Sequence, residues 1–157
     1  MHRRLLALAT AAVMTLGVTA HLVAQRAAVT APTVTLYKSA TCGCCAKWAD
    51  HLAANGFKVE TKVVSDERLY GISREAGVPE ALSSCHTAEV DGYTIEGHVP
   101  AMDIHRLLRD RPKNVRGLAV PGMPIGSPGM EMGDRQDPYQ VLAFTWDKTY
   151  TVFARHP

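Results

Sequence analysis

Apolar and polar residues alternate at Val34-Thr35-Leu36-Tyr37, a period of two that predicts a first strand. The period then lengthens. From Cys44 or Cys45 to about Asn55, Trp48 and Leu52, with Ala49 and Ala53, recur at helical spacing, and Asn55-Gly56 supplies the stop. Alternation returns over Phe57 to Val64, with Phe57, Val59, Thr61 and Val63 on one face. Ser65-Asp66-Glu67 is an N-cap followed by two acids and predicts a helix to about Ala76, ended by Gly77-Val78-Pro79. Pro79 to Ser84 reads as a short helical turn leading to Cys85. His86 to Val90 and Tyr93 to His98 alternate on either side of Asp91-Gly92, a two-residue hairpin signal. Pro100 opens a helix over Ala101 to Arg109, and Leu118-Ala119-Val120 is a short strand. Gln140 to Trp146 and Thr149 to Ala154 form a closing hairpin around Asp147-Lys148.

This order of elements is an α/β plan with a cysteine turn between the first strand and the first helix. It predicts a thioredoxin-like single domain over residues 33–157, with the C-terminal hairpin as an addition. Residues 121–138 are a second addition. Their Gly, Pro and Met content rules out a long helix or a central strand, and loops of that length in compact domains are usually functional or disordered.

The N-terminus changes where this domain is expected to work. Met1 to Arg4 is short and basic, and Leu5 to Val18 is an apolar or small-residue run too short to suit a membrane span. Val18-Thr19-Ala20 offers small residues for cleavage, so residues 1–20 are expected to be a signal peptide, residues 21–32 a short tether, and the location periplasmic. An uncleaved anchor is the alternative. Loss of residues 1–20 removes Arg3 and Arg4 and no acid, taking the formal charge from +2 to about zero. With both signs interspersed and no basic block, nucleic acid is excluded as a partner, and so is the membrane unless the signal stays attached.

All four cysteines, Cys42, Cys44, Cys45 and Cys85, fall in the mature part. An even count in an exported protein suggests disulfides. Three thiols within four residues, however, cannot all staple distant segments. Thiols at a helix N-terminus are favoured as thiolates by free backbone N–H groups and the helix dipole, and Lys47 adds to this. Thiolate is the ligand preferred by copper(I) and zinc. Gly43 is expected to let the backbone bend so that the sulfurs converge.

Two functions compete for these residues. Cys42 and Cys45 have the C-x-x-C spacing of a thiol–disulfide oxidoreductase. Cys44, between them, would interfere with exchange but would add a bridging thiolate to a metal site. A structural zinc module is a third reading, weakened by the lack of a second close-spaced pair. Cys85 is the natural fourth thiol, with His86 beside it and His98 at a strand end as candidate ligands. His51 and His105 are expected on exposed helix faces, and Trp48 in the core. Met123, Met130 and Met132 sit in the Gly-Pro loop, either as thioether ligands for copper(I) or as adaptable filler; Met102 is expected to pack.

Tyr37-Lys38-Ser39-Ala40-Thr41-Cys42-Gly43-Cys44-Cys45, with Trp48 behind it, resembles the opening of the CopG-type periplasmic copper-resistance proteins. Gly97-His98-Val99-Pro100, Gly117-Leu118-Ala119-Val120-Pro121-Gly122-Met123-Pro124 and Gly126-Ser127-Pro128-Gly129-Met130-Glu131 resemble the same family. The resemblance spans about Thr33 to Arg155. It implies a thioredoxin-like fold, a copper cluster on Cys42, Cys44 and Cys45 with Cys85 as the remaining cysteine, and interconversion of Cu(I) and Cu(II). Other periplasmic copper-handling proteins are the implied partners. The expectation is therefore a copper(I)-binding protein for copper resistance, with metal donors Cys42, Cys44, Cys45, Cys85, His86, His98, Met123 and Met130.

Overall fold

The computed structural model describes residues 31–157. The expected signal peptide and nearly all of the tether lie outside the described residues. Seven strands and three helices follow one another as β1 (Thr33–Lys38), α1 (Gly43–Ala54), β2 (Lys58–Val63), α2 (Asp66–Glu75), β3 (His86–Val90), β4 (Tyr93–Glu96), α3 (Ala101–Asp110), β5 (Gly117–Ala119), β6 (Tyr139–Phe144) and β7 (Tyr150–His156), with a 3-10 turn at Glu80–Leu82. The strands form one mixed sheet in the order β2-β1-β3-β4-β5-β6-β7. β1 runs parallel to β2 and antiparallel to β3, and β4 runs parallel to β5; the remaining neighbours are antiparallel. Among the described residues no helix is long and apolar enough to cross a membrane.

The period of two in the strands builds a core on each face of this sheet. Val34, Leu36, Leu118, Val120, Val141 and Ala143 point to the side where Trp48, Leu52, Ile104 and Leu107 form the larger core. Ala119 and Phe144, one residue out of step, point to the other side and pack with Val78 and Leu82. The sheet is thus covered on both faces, so even the polar residues Thr87, Thr94 and Glu96 of β3 and β4 are buried. Trp48 is fully buried and its indole N–H donates to the Val99 carbonyl at 2.9 Å.

Several expectations need correction. β2 begins at Lys58 rather than Phe57, and the face that carries Val59, Thr61 and Val63 is largely open because β2 is an edge strand; Phe57 just before it is buried, but Val63 is 61% exposed. β4 ends at Glu96 rather than His98, since Gly97 takes a left-handed φ of 69° that turns the chain out of the ladder. Met102, expected to pack, is 72% exposed. His105 is half-buried, stacked on Phe57 with ring centroids 4.3 Å apart and bonded to the Asn55 carbonyl.

His51 is not a solvated surface residue either. Its Nε2 accepts the Ala101 amide at 3.1 Å, capping α3, whose N-cap is Pro100 and offers no side-chain cap. That bond requires a neutral ring. Burial lowers the His51 pKa below 6.5, with the Glu131 carboxylate opposing the shift. The unfolded chain therefore binds this proton more readily than the folded one. The contribution is present above the unfolded value and is lost as pH falls through the lower folded one. We expect the thermal midpoint of the metal-free protein to fall on going from about pH 7 to about pH 5, and to fall less in His51→Gln. Parallel declines in the two proteins would remove His51 from the account.

Candidate metal centre

The turn from β1 into α1 presents three sulfurs at a helix N-terminus. Cys42 is the N-cap of α1, and its Sγ accepts the Cys45 amide at 3.4 Å. Cys44 lies half-buried with its Sγ 3.5 Å from that of Cys42. Cys45 is fully buried, and its Sγ lies 3.6 Å from that of Cys85, which the 3-10 turn delivers just before β3. All four sulfurs lie within 4.8 Å of one another. Cys42 and Cys45 are joined as a disulfide, while Cys44 and Cys85 are free. In this oxidised form two of the four sulfurs have no thiolate to give; two-electron reduction restores the full set.

Cys85 also belongs to a second set. Its Sγ is 3.4 Å from His86 Nδ1 and 3.1 Å from His98 Nε2. These three donors again lie within 4.8 Å of one another. The two sets share one sulfur. Neither contains a carboxylate, so neither suits calcium or magnesium; thiolate and imidazole suit copper and zinc. His86 is fully buried, yet its Nε2 has no hydrogen-bond partner among the described residues. Its ring is held by packing, against Trp48 at 4.5 Å and edge-on to His98 at 5.0 Å between centroids. An unsatisfied buried nitrogen is poor for stability and is better understood in a site built to take a ligand.

The proton inventory follows from burial. Burial, with the neighbouring Cys44 next, pushes the Cys85 thiol up to about 12. Burial pulls His86 down to about 3, helped by His98, and burial also lowers His98. Both rings are therefore neutral at ordinary pH and could serve as ligands, and a metal bound there would have to displace the Cys85 proton. The tautomer of His98 is set by the Pro128 carbonyl, 2.8 Å from Nδ1. A carbonyl can only accept, so Nδ1 carries the hydrogen and Nε2 turns a lone pair toward Cys85.

Pro128 belongs to the Gly-Pro loop, which is strapped across the site. Gly129 lies directly over the first turn of α1: a Cβ there would sit 2.7 Å from the Cys44 carbonyl oxygen and 2.8 Å from the Trp48 nitrogen. Its φ of 85° is also a glycine conformation. The Glu131 carboxylate accepts the Gly129 amide at 2.9 Å and closes the strap.

Comparison with known proteins places this geometry. Two solved structures, both titled copper resistance protein copG, superpose with a TM-score of 0.74. Form 2 is 47% identical, with the match covering 80% of this chain and 98% of that one; Form 1 is 48% identical, covering 80% and 97%. The chain belongs to the CopG copper-resistance family. The mixed α/β fold is similar to that of the CopG structures. Residues 82–130 also match a family model described as a protein of unknown function, DUF411. That stretch holds Cys85, His86, His98 and the strap as far as Met130, but not the three-cysteine turn. No match was found among curated proteins.

Within this CopG-family chain, the expected donors do not all come together equally. Cys42, Cys44, Cys45, Cys85, His86 and His98 converge. Met123 and Met132 are exposed, at 52% and 55%, and Met130 is half-buried. Met123 follows Gly122, whose carbonyl accepts the Ser84 hydroxyl at 2.6 Å, and Met130 follows Gly129, so both start from loop positions that touch the site. The reason expected for Gly43 fails: it lies in regular helix without a positive φ, and a Cβ there would meet nothing within 4 Å. Sequence reasoning missed Glu96, Ser84 and the carbonyl of Pro128, because nothing in local pattern marks a residue that acts through a bond to a distant strand.

Proposed function

We propose that this chain is a periplasmic copper(I)-binding protein of copper resistance, thioredoxin-like in fold, holding copper on clustered cysteine thiolates. One observation carries the reading: four cysteine sulfurs from two separate segments converge, and the fourth continues into two neutral imidazoles. The titles of the related structures, copper resistance proteins, support copper over zinc as the cargo. The strand order β2-β1-β3-β4, with α1 following the cysteine turn, supports the thioredoxin-like assignment. The all-sulfur set suits Cu(I), and a cysteine with two histidines is a donor set that also holds Cu(II). A shared Cys85 is a physical basis for interconverting the two states. Met123 and Met130 serve as thioether donors at the rim, and the N-terminal segment exports the chain to where other copper-handling proteins supply or accept the ion.

The experiment is elemental analysis with thiol titration on protein purified from copper-fed cells. Several coppers per chain, with thiols shielded until a copper(I) chelator is added, is the expected result. A protein that takes up no copper after full reduction would sink the proposal.

The disulfide between Cys42 and Cys45 favours a second reading, a thiol–disulfide oxidoreductase. The discriminating variant is Cys44→Ser. On the copper reading it lowers copper per chain without loss of fold. On the oxidoreductase reading it leaves disulfide-reductase activity intact, and Cys42→Ser abolishes that activity.

A further inference from the structure

Two carboxylates are buried among the described residues, Glu96 and Asp103. Asp103 is paired with Arg106 and His156. Glu96, 1% exposed at the end of β4, has no cationic partner among the described residues. Burying a carboxylate without a counter-charge is costly, and for stability alone an apolar side chain would serve there at least as well. What Glu96 does hold is specific. Its Oε1 accepts the Ser84 amide at 2.8 Å and its Oε2 accepts the Thr87 hydroxyl at 2.7 Å. Residues 84 and 87 are the immediate neighbours of Cys85 and His86. One rigid carboxylate thus grips the chain on both sides of two candidate ligands.

From this we infer that Glu96 is a positioning residue of the metal centre, a staple that sets Cys85 and His86 by holding Ser84 and Thr87. The next residues along continue the grip. The Gly97 amide donates to the His86 carbonyl at 3.0 Å, and His98 Nε2 faces Cys85. Ser84 cannot substitute for Glu96, because its hydroxyl is committed to the Gly122 carbonyl. Without the staple the segment leading from the 3-10 turn is free to swing, and the 3.6 Å approach of Cys85 to Cys45 is no longer imposed. The role in metal binding rests on the copper reading above; the placement of Cys85 does not.

The test therefore reads both. In copper-free, reduced protein, site-resolved alkylation gives the rate at Cys85 relative to Cys44, an internal reference on a different element. Glu96→Ala is expected to raise that ratio about tenfold, as expected when hydrogen bonds to a buried acceptor are lost. In the copper-loaded protein it is expected to lower retention against a copper(I) chelator about tenfold or more, the usual scale for losing an outer-shell partner. Glu96→Gln keeps an acceptor for the Ser84 amide and turns an amide N–H to the Thr87 hydroxyl, which then accepts instead of donating, and it restores both readouts to within about threefold of the parent. A folded Glu96→Ala protein with an unchanged Cys85 to Cys44 ratio overturns the staple. If Glu96→Ala fails to fold, Thr87→Val removes one grip while keeping the shape; a ratio raised about threefold supports the staple, and an unchanged ratio overturns it. A parent protein that takes up no copper refutes the copper reading alone, and the alkylation ratio still decides the staple.

Discussion

Cys85→Ser is expected to strip the protein of most of its copper while leaving the fold in place. Cys85 is the only residue common to both donor sets, so its loss breaks the four-sulfur group and the cysteine–histidine group together. Cys44→Ser, by contrast, leaves Cys45, Cys85 and both histidines where they are. Serine is close to cysteine in size, and Cys85 is only half-buried in a turn ahead of β3, so the cores on either face of the sheet are not disturbed. The measurement is copper per chain after competition with a copper(I) chelator, alongside a thermal melt of the copper-free protein. We expect retention to fall by more than about 100-fold, beyond what losing an outer-shell partner costs. A Cys85→Ser protein that retains copper as Cys44→Ser does would show that the two sets do not act through a shared sulfur.

Gly129→Ala is the second large effect, and it reaches the site through the backbone. The added methyl meets the Cys44 carbonyl and the Trp48 nitrogen, which are parts of a helical turn and cannot move like a flexible side chain. A left-handed φ adds strain for alanine. Together these should destabilise the copper-free protein by roughly 2–4 kcal/mol. For a domain of this size that lowers the thermal midpoint by about 5–15 °C. Relief requires the strap to lift, and lifting it takes the Pro128 carbonyl away from His98 Nδ1. The ring then loses the bond that keeps Nε2 free for Cys85. Weaker copper retention should therefore accompany the lower midpoint. An unchanged midpoint would mean that the strap does not bear on α1, and a lower midpoint with unchanged retention would uncouple it from His98.

The Gly-Pro loop shows how far sequence reasoning reaches. Its composition ruled out a long helix or a central strand, and its methionines read equally as thioether ligands or as adaptable filler. Its closest bearing on the site comes instead from a proline carbonyl and a glycine without a Cβ, two features that carry no chemical signature in a sequence. The histidines make the same point in reverse. His86 was legible because it sits beside a cysteine, and His98 because it closes an alternating run, although the strand itself stops at Glu96. His51 looked like a surface residue because its partner, the Ala101 amide, lies fifty residues on and is brought to it only when α1 packs beside the start of α3. Glu96 lay in an alternating strand, where a polar residue should face water; a second layer of structure on that side buries it.

What the sequence determined by itself is whatever depends on short range. Periodicity placed seven strands and three helices in order, Asp91-Gly92 and Asp147-Lys148 marked the hairpins, and three thiols in four residues announced metal or redox chemistry. Tertiary structure alone decided which distant groups share a site. The pairing of β1 with β3 lays the start of β3 beside the end of β1, and so brings Cys85 and His86 to the cysteine turn. The β3–β4 hairpin then adds Glu96 and His98. Donor geometry is a property of these long-range pairings, and no local pattern encodes a distance between residues forty positions apart.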